Sequence, residues 1–261
     1  MLYYPPLSSG SVTQFPIVRR TQIGTLMNDL INGTRITMAD SVAGLIRWQL
    51  RHLNLSDDEW GAIEQLFAAA EGRLNTFTFL DPTDNLLMWS EDWTKPQWSS
   101  DPMLQLSVGQ PDPLGGSNAV QITNASQTIQ QVVQSTSAPS GFQYCFSVYV
   151  RSDVPSPVQL EIGQQLLVPV SVGPVWKRVT ATSTPGGPNT GVRFGLQLSA
   201  GANILVFGAQ VEAQASAGPY KKTTDWSGIY TETRFDSDSL QRSTDSKNHN
   251  SCIVNLIARA T

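Results

Sequence analysis

The sequence predicts a mainly β protein. A discontinuous α+β domain, a β-sheet plus one helix, is interrupted by an inserted antiparallel β-sandwich of the jelly-roll kind. Three observations lead there. Apolar residues alternate with period two in several short runs, and a single segment carries a helical period. Composition shifts over residues 86–225, where charges thin out and Gln, Ser, Gly, Pro and Val dominate. The charged pieces on either side, 1–85 and 226–261, are too poor in strands or too short to close a core alone, so they are expected to join into one domain across the insert.

In chain order, the run from Ala43 to Leu55 reads as a strand: Ile46, Trp48 and Leu50 alternate with Arg47, Gln49 and Arg51, placing three large apolar groups on one face. Ser56 follows as a helix N-cap, and Glu59, three residues on, is spaced to return a hydrogen bond to the Ser56 amide. Trp60, Ile63, Phe67 and Ala70 then form an apolar stripe, so a helix is expected from Asp57 to Glu71 with Gly72 stopping it. Thr76 to Leu80 reads as a strand closed by the turn residues Asp81 to Asn85.

Inside the insert, three strands announce themselves by alternation. They are Tyr144, Phe146, Val148 and Val150; Val192, Phe194, Leu196 and Leu198; and Leu205, Phe207, Ala209 and Val211. Turns are expected at Asp112 to Ser117 and Pro185 to Asn189. Many short strands with Gly and Pro punctuation and no helical period fit a sandwich. After the insert the chain is charged again and ends in an apolar strand, Ser251 to Ala258.

Charged residues make up 15% of the chain, below the roughly 25% of ordinary soluble domains, so the surface is largely neutral and polar. Seventeen Lys and Arg against twenty-one Asp and Glu give a net charge of −4, which lacks the basic excess that nucleic acid demands. No segment reads as a secretory leader or a membrane span, and the expected chain is neither exported by that route nor embedded. Cys145 and Cys252 are too far apart in sequence for a zinc or disulfide motif and read as core residues. Only His52 and His249 are available for histidine chemistry, and no GxSxG, HExxH or Cys-His arrangement occurs. The expectation is a protein that is not an enzyme and carries no cofactor.

Tryptophan is the most informative residue type, because an indole face matches the apolar face of a pyranose ring. Trp98 and Trp176 read as core, whereas Trp89, Trp93 and Tyr220 are the exposed candidates for carbohydrate binding. Asp112, Glu161 and Glu212 offer oxygen ligands for calcium, but no dense acidic loop surrounds them and they read as solvated carboxylates.

Two sets of segments resemble known families. FPIVRR at Phe15 to Arg20, IRWQLRHLNLSDDEW at Ile46 to Trp60, EGRLNTFTFLDPTDN at Glu71 to Asn85 and the returning ETRFDSDSL resemble the distal tail protein family of long-tailed bacteriophages, which includes the lambda-type minor tail proteins. That resemblance implies a hexameric ring at the tail tip, contacting tail tube and hub proteins, in a virion assembled in the host cytoplasm. NLLMWSEDWTKPQW at Asn85 to Trp98, VWKRVTATS at Val175 to Ser183 and ILVFGAQVEAQASAGPYKKTT at Ile204 to Thr224 resemble carbohydrate-binding-like sandwiches of phage tail proteins. This second resemblance implies an outward module touching host envelope polysaccharide. The alternatives are a tail-associated glycan hydrolase and a stand-alone carbohydrate-binding protein.

Overall fold

The structure, a computed structural model, describes residues 2–163, 166–187 and 191–260, without the side chains of 41–43 and 166. Its elements are β1 (Ile17–Asp29), β2 (Arg35–Leu55), α1 (Asp57–Ala69), β3 (Phe77–Leu80), β4 (Trp98–Ser100), β5 (Leu104–Gln110), β6 (Ala119–Asn124), β7 (Gln130–Thr136) and β8 (Tyr144–Arg151). They continue with β9 (Ser156–Ile162), β10 (Leu166–Val172), β11 (Lys177–Ser183), β12 (Val192–Leu198), β13 (Asn203–Glu212), β14 (Ile229–Phe235), β15 (Arg242–Ser246) and β16 (His249–Arg259). The protein is mainly β with antiparallel sheets and one helix among the described residues.

The chain divides into two compact units. Unit 1 comprises residues 1–7, 13–79 and 230–261; unit 2 comprises 8–12 and 80–229. The sequence places these boundaries at 85 and 226. The inbound and outbound segments of unit 2 run side by side: Asp81 N–H donates to the Gly228 carbonyl at 2.9 Å, and Gly228 N–H to the Asn85 carbonyl at 2.7 Å.

Unit 1 is a six-stranded sheet in the order β1-β2-β16-β14-β3, with β15 also pairing β16. Ser56 caps α1 as its spacing implied. Its hydroxyl accepts from Glu59 N–H at 3.2 Å, and the Glu59 carboxylate accepts from Ser56 N–H at 2.8 Å. The helix ends at Ala69, two residues earlier than expected, because Ala70 caps it and Glu71 and Gly72 both turn left-handed, at φ of 51° and 64°. Its buried Trp60, Ile63 and Leu66 face a core in which Trp48 meets Phe79 and Tyr230 at ring-centroid distances of 5.1 and 4.7 Å. His52 is part of that core, with its Nε2 at 2.9 Å from the Tyr4 hydroxyl; burial, partly offset by Glu59, depresses its pKa to about 4.

The largest departure from expectation is the length of the first hairpin. The strand expected from Ala43 begins at Arg35, and its partner β1 carried no period-two signal; together they make a long ribbon paired from Ile17↔Leu50 to Asp29↔Arg35. Every residue of β1 except Ile17 and Gly24 is exposed, and Leu26, Met27, Ile36 and Met38 point into solvent from the ribbon.

Unit 2 is a sandwich of two five-stranded sheets, β10-β9-β12-β7-β4 and β11-β8-β13-β6-β5. Alternate residues of each strand fill the space between them. Val158, Leu160, Phe194 and Leu196 come from one sheet and Tyr144, Phe146, Val148 and Ile122 from the other, all fully buried. Tyr144 and Phe194 touch edge to face at 5.4 Å across the sandwich. The alternations expected in β8 and β12 are those of the core.

In β13 the expected alternation fails halfway. The register against β8 jumps between Phe207 and Gln210, so Ile204 and Val206 face the core before the bulge and Val211 after it. Gly208 makes this possible. It sits at φ 65°, and a Cβ there would come within 2.9 Å of the Tyr220 ring. The expected turn at Asp112 forms around its carboxylate, which accepts from the Leu114, Gly116 and Asn118 amides at 2.8–3.0 Å. The turn expected at 185–189 is described only to Gly187, and its remainder lies outside the described residues.

Candidate functional site

The site is built by the inbound segment of unit 2, which has no regular secondary structure and is held by side chains instead. Asn85 is fully buried; its amide donates to the Ala209 and Lys221 carbonyls, and its oxygen accepts from the Leu87 and Val211 amides at 3.1 and 3.0 Å. Gln134 of β7 grips Met88 at both its N–H and its carbonyl. These bonds deliver Trp89 in a left-handed conformation, φ 51°, at a cost of about 1–2 kcal/mol for a bulky residue. The strained position is fixed from both sides. Trp89 N–H donates to the Thr224 carbonyl at 2.7 Å, and its own carbonyl accepts from Trp98 Nε1 at 3.1 Å. Such strain persists where the surroundings over-determine it, which is characteristic of ligand-holding segments.

The Trp89 indole, half-buried, lines a cavity of about 240 Å³ together with Glu91, Asp92, Asn118, Lys222 and Thr224. This is an aromatic ring surrounded by hydrogen-bonding side chains of both signs. Lys95 lies 4.8 Å from the ring centroid and pairs with Asp92 at 3.4 Å. Lys222 pairs with Glu91 at 2.6 Å. Burial raises the Asp92 carboxyl, but hydrogen bonds from Thr94 and Lys95 outweigh it and hold the group below the usual carboxylate range.

Of the residues singled out in sequence, the structure brings Trp89 to this cavity, and sets Tyr220 behind it. The Tyr220 hydroxyl reaches Ser90 Oγ at 2.9 Å and Glu91 Oε1 at 3.0 Å, and its ring packs on Gly208 and Phe207. Burial pushes its phenol pKa up. Tyr220 therefore orients Glu91 and is not an open stacking face.

Trp93 is a correction. It is 1% exposed and lies flat on Trp98, centroids 4.2 Å apart and planes 7° off parallel, so no sugar reaches it. Trp176, read as core, is half-buried instead. The carboxylates read as solvated are also corrected: Asp112, Glu161 and Glu212 are 8%, 0% and 0% exposed. Each is satisfied internally, Glu161 by Arg193 and Gln197, and Glu212 by the Gly218 amide at 2.8 Å and Lys221 at 3.5 Å. Among the described residues no cluster of three or more His, Cys, Asp and Glu side chains is arranged to hold a metal.

Sequence reasoning missed Asn118, Lys222 and Thr224. The signals were present, since Asn118 follows the Asp112 turn and the other two lie in the outbound KKTT, but nothing local says that these segments meet Trp89.

No protein-family model and no curated protein matches the sequence. Among solved structures, the CBM22-1 xylan-binding domain of Paenibacillus barcinonensis Xyn10C aligns over 51% of this chain and 97% of its own, with 15% identity and a TM-score of 0.43. A carbohydrate-binding module, TmCBM61, solved with β-1,4-galactotriose, aligns over 50% of this chain and 99% of its own, at 13% identity and a TM-score of 0.39. The enzymatically active domain of bacteriophage CBA120 tailspike protein 4 aligns over 52% of this chain but only 22% of its own, at 10% identity and a TM-score of 0.41. The likenesses are too distant to transfer a ligand or an activity.

Proposed function

We propose that the protein binds polysaccharide through unit 2, with Trp89 as the stacking platform. The observation that carries this reading is the partly exposed indole, held at a strained backbone position and ringed by carboxylate, amide, hydroxyl and ammonium groups. A pyranose offers one apolar face to the ring and hydroxyls at its rim to those partners. The cavity is smaller than the roughly 300–1,000 Å³ of pockets that enclose a drug-sized ligand, so it suits one ring of a longer chain. Binding without cleavage is favoured over hydrolysis. A glycosidase needs two carboxyls free to act across the scissile bond, and both carboxylates lining this cavity are engaged by lysines, Asp92 by Lys95 and Glu91 by Lys222.

Trp89→Ala is expected to weaken binding to a responsive polysaccharide at least about tenfold, worth roughly 1.4 kcal/mol, in isothermal titration against a panel of envelope and plant polysaccharides. Trp89→Gly, which also relieves the left-handed strain, should lose the same affinity with no loss of thermal stability. Unchanged affinity in both variants, or no binding by the wild-type chain to any polysaccharide, overturns the reading.

A second reading, in which the chain is a tail-tip ring component of a phage or phage-like particle and the sandwich is its host-facing module, is favoured by one observation. The β1-β2 ribbon exposes Ile23, Leu26, Met27 and Met38 by 80%, 58%, 65% and 63%, with Ile31 fully exposed beyond β1. A two-stranded ribbon with no sheet partner over its outer half is marginal in water and a pairing hazard unless other copies cover it. Closed cyclic symmetry covers it without leaving an open end. Native mass spectrometry at micromolar concentration should show oligomers, with six copies expected. Replacing residues 23–44 by an Asn-Gly turn should give monomers. A wild-type chain that stays monomeric sinks this reading and leaves the first intact.

A further inference from the structure

Unit 1 carries a groove unrelated to the Trp89 cavity. β14 is registered against β16 at Leu256 and Ile257, and β15 at residues 249–252. Between them the chain from Asp236 to Gln241 leaves the strand path, and a groove of about 540 Å³ opens beside it. Its floor includes Arg51 and Leu53 of β2 and Ile253 of β16, with Arg51 directly opposite Ile253. Ser239, Gln241 and Ser243 line its side. No carboxylate lines it, and Arg51, which is exposed, has no ion-pair partner among the described residues. The other arginines at alternate positions of β2 each have one: Arg47 pairs with Asp236 at 3.2 Å and Arg35 with Asp29 at 2.7 Å.

We propose that this groove binds an acidic segment of an extended polypeptide, with Arg51 taking its carboxylate. The guanidinium supplies a planar fork of donors, the serines and glutamine add neutral donors, and charge complementarity therefore selects an anion. The half-exposed Leu53 and Ile253, 46% and 50% exposed, flank the guanidinium and suit the apolar side chains of a strand whose residues alternate in direction. No Trp, Tyr or Phe side chain lines the groove, and the imidazole of His52 at its floor is fully buried, so it offers a sugar no stacking face.

The test uses the full chain and a capped nine-residue peptide alternating Glu with Val, fluorescently labelled, beside its Gln-for-Glu counterpart. Anisotropy should show saturable binding of the Glu peptide that weakens with added salt. The Gln peptide and the Arg51→Gln variant should each lose at least about tenfold in affinity, while Trp89→Ala binds the peptide unchanged. Arg51 is exposed, so its replacement should leave the thermal unfolding profile in place, and that profile is recorded as the control. The proposal is overturned by absence of saturable peptide binding at millimolar concentration, by equal affinity in Arg51→Gln, or by polygalacturonate binding through Arg51 where the peptide does not bind.

Discussion

Trp93→Ala is expected to destabilise unit 2 by about 3–5 kcal/mol, the range for removing a large buried aromatic side chain. Trp93 is 1% exposed, and its ring covers that of Trp98, which is itself 6% exposed. Deleting the ring leaves a void between Trp93's own irregular segment and Trp98 at the start of β4, so the surroundings cannot close without moving Trp98. That movement matters, because Trp98 Nε1 donates to the Trp89 carbonyl and so fixes the strained residue at the candidate site. The void and the lost anchor act in the same direction. Chemical denaturation followed by tryptophan fluorescence should show the midpoint fall with little change in slope, since the surface exposed on unfolding is nearly the same. Trp93→Phe, which keeps an aromatic ring in the space, should recover much of the loss. A decrease below about 1 kcal/mol in Trp93→Ala would mean that the stacked pair is not a structural element. The same variant is a poor probe of carbohydrate binding, because any loss of affinity would follow from the displaced Trp89.

The helix and several strands were legible in the sequence because their information is local. A capping box needs only residues 56 and 59, and β8 and β12 alternate because one face of each is packed against the opposite sheet. The β1-β2 ribbon was half hidden for the converse reason. Alternation records burial of one face, and from Val18 to Ala39 neither face is buried, so Ile23, Leu26, Met27 and Met38 fall in no pattern. The β13 misreading came from a single inserted conformation at Gly208, which shifts every later residue to the other face. At the candidate site, the rings could be named but not sorted. Trp93 is buried by a partner five residues away in a segment without periodicity, whereas Trp89 stays open because Asn85, Gln134 and Thr224 fix its backbone from three different parts of unit 2. Glu161 looked like any solvated carboxylate because Arg193 and Gln197, which satisfy it, lie on another strand.

That buried charge sets the second large effect: Arg193→Met is expected to cost about 3–5 kcal/mol, the penalty for stranding one member of a buried ion pair. The register explains the arrangement. Gly195 of β12 lies directly opposite Glu161 of β9, and Arg193 and Gln197 are its two diagonal neighbours. Without a side chain at Gly195 nothing stands between the carboxylate and its partners, and Arg193 Nε reaches Oε1 at 2.6 Å while Gln197 Nε2 reaches Oε2 at 3.2 Å. Glycine is also required on its own account, since a Cβ at 195 would run into the Val132 carbonyl oxygen of β7. With Arg193 gone, a carboxylate that is 0% exposed keeps only neutral donors. Glu161→Gln alone should cost less, because Arg193 is partly exposed and can turn its charge to water. The double variant Glu161→Gln with Arg193→Met should be more stable than Arg193→Met alone, giving a coupling energy of about 1–3 kcal/mol in a double-mutant cycle by chemical denaturation. Additive losses would show that the carboxylate is hydrated in solution and that Arg193 contributes through packing of its stem alone.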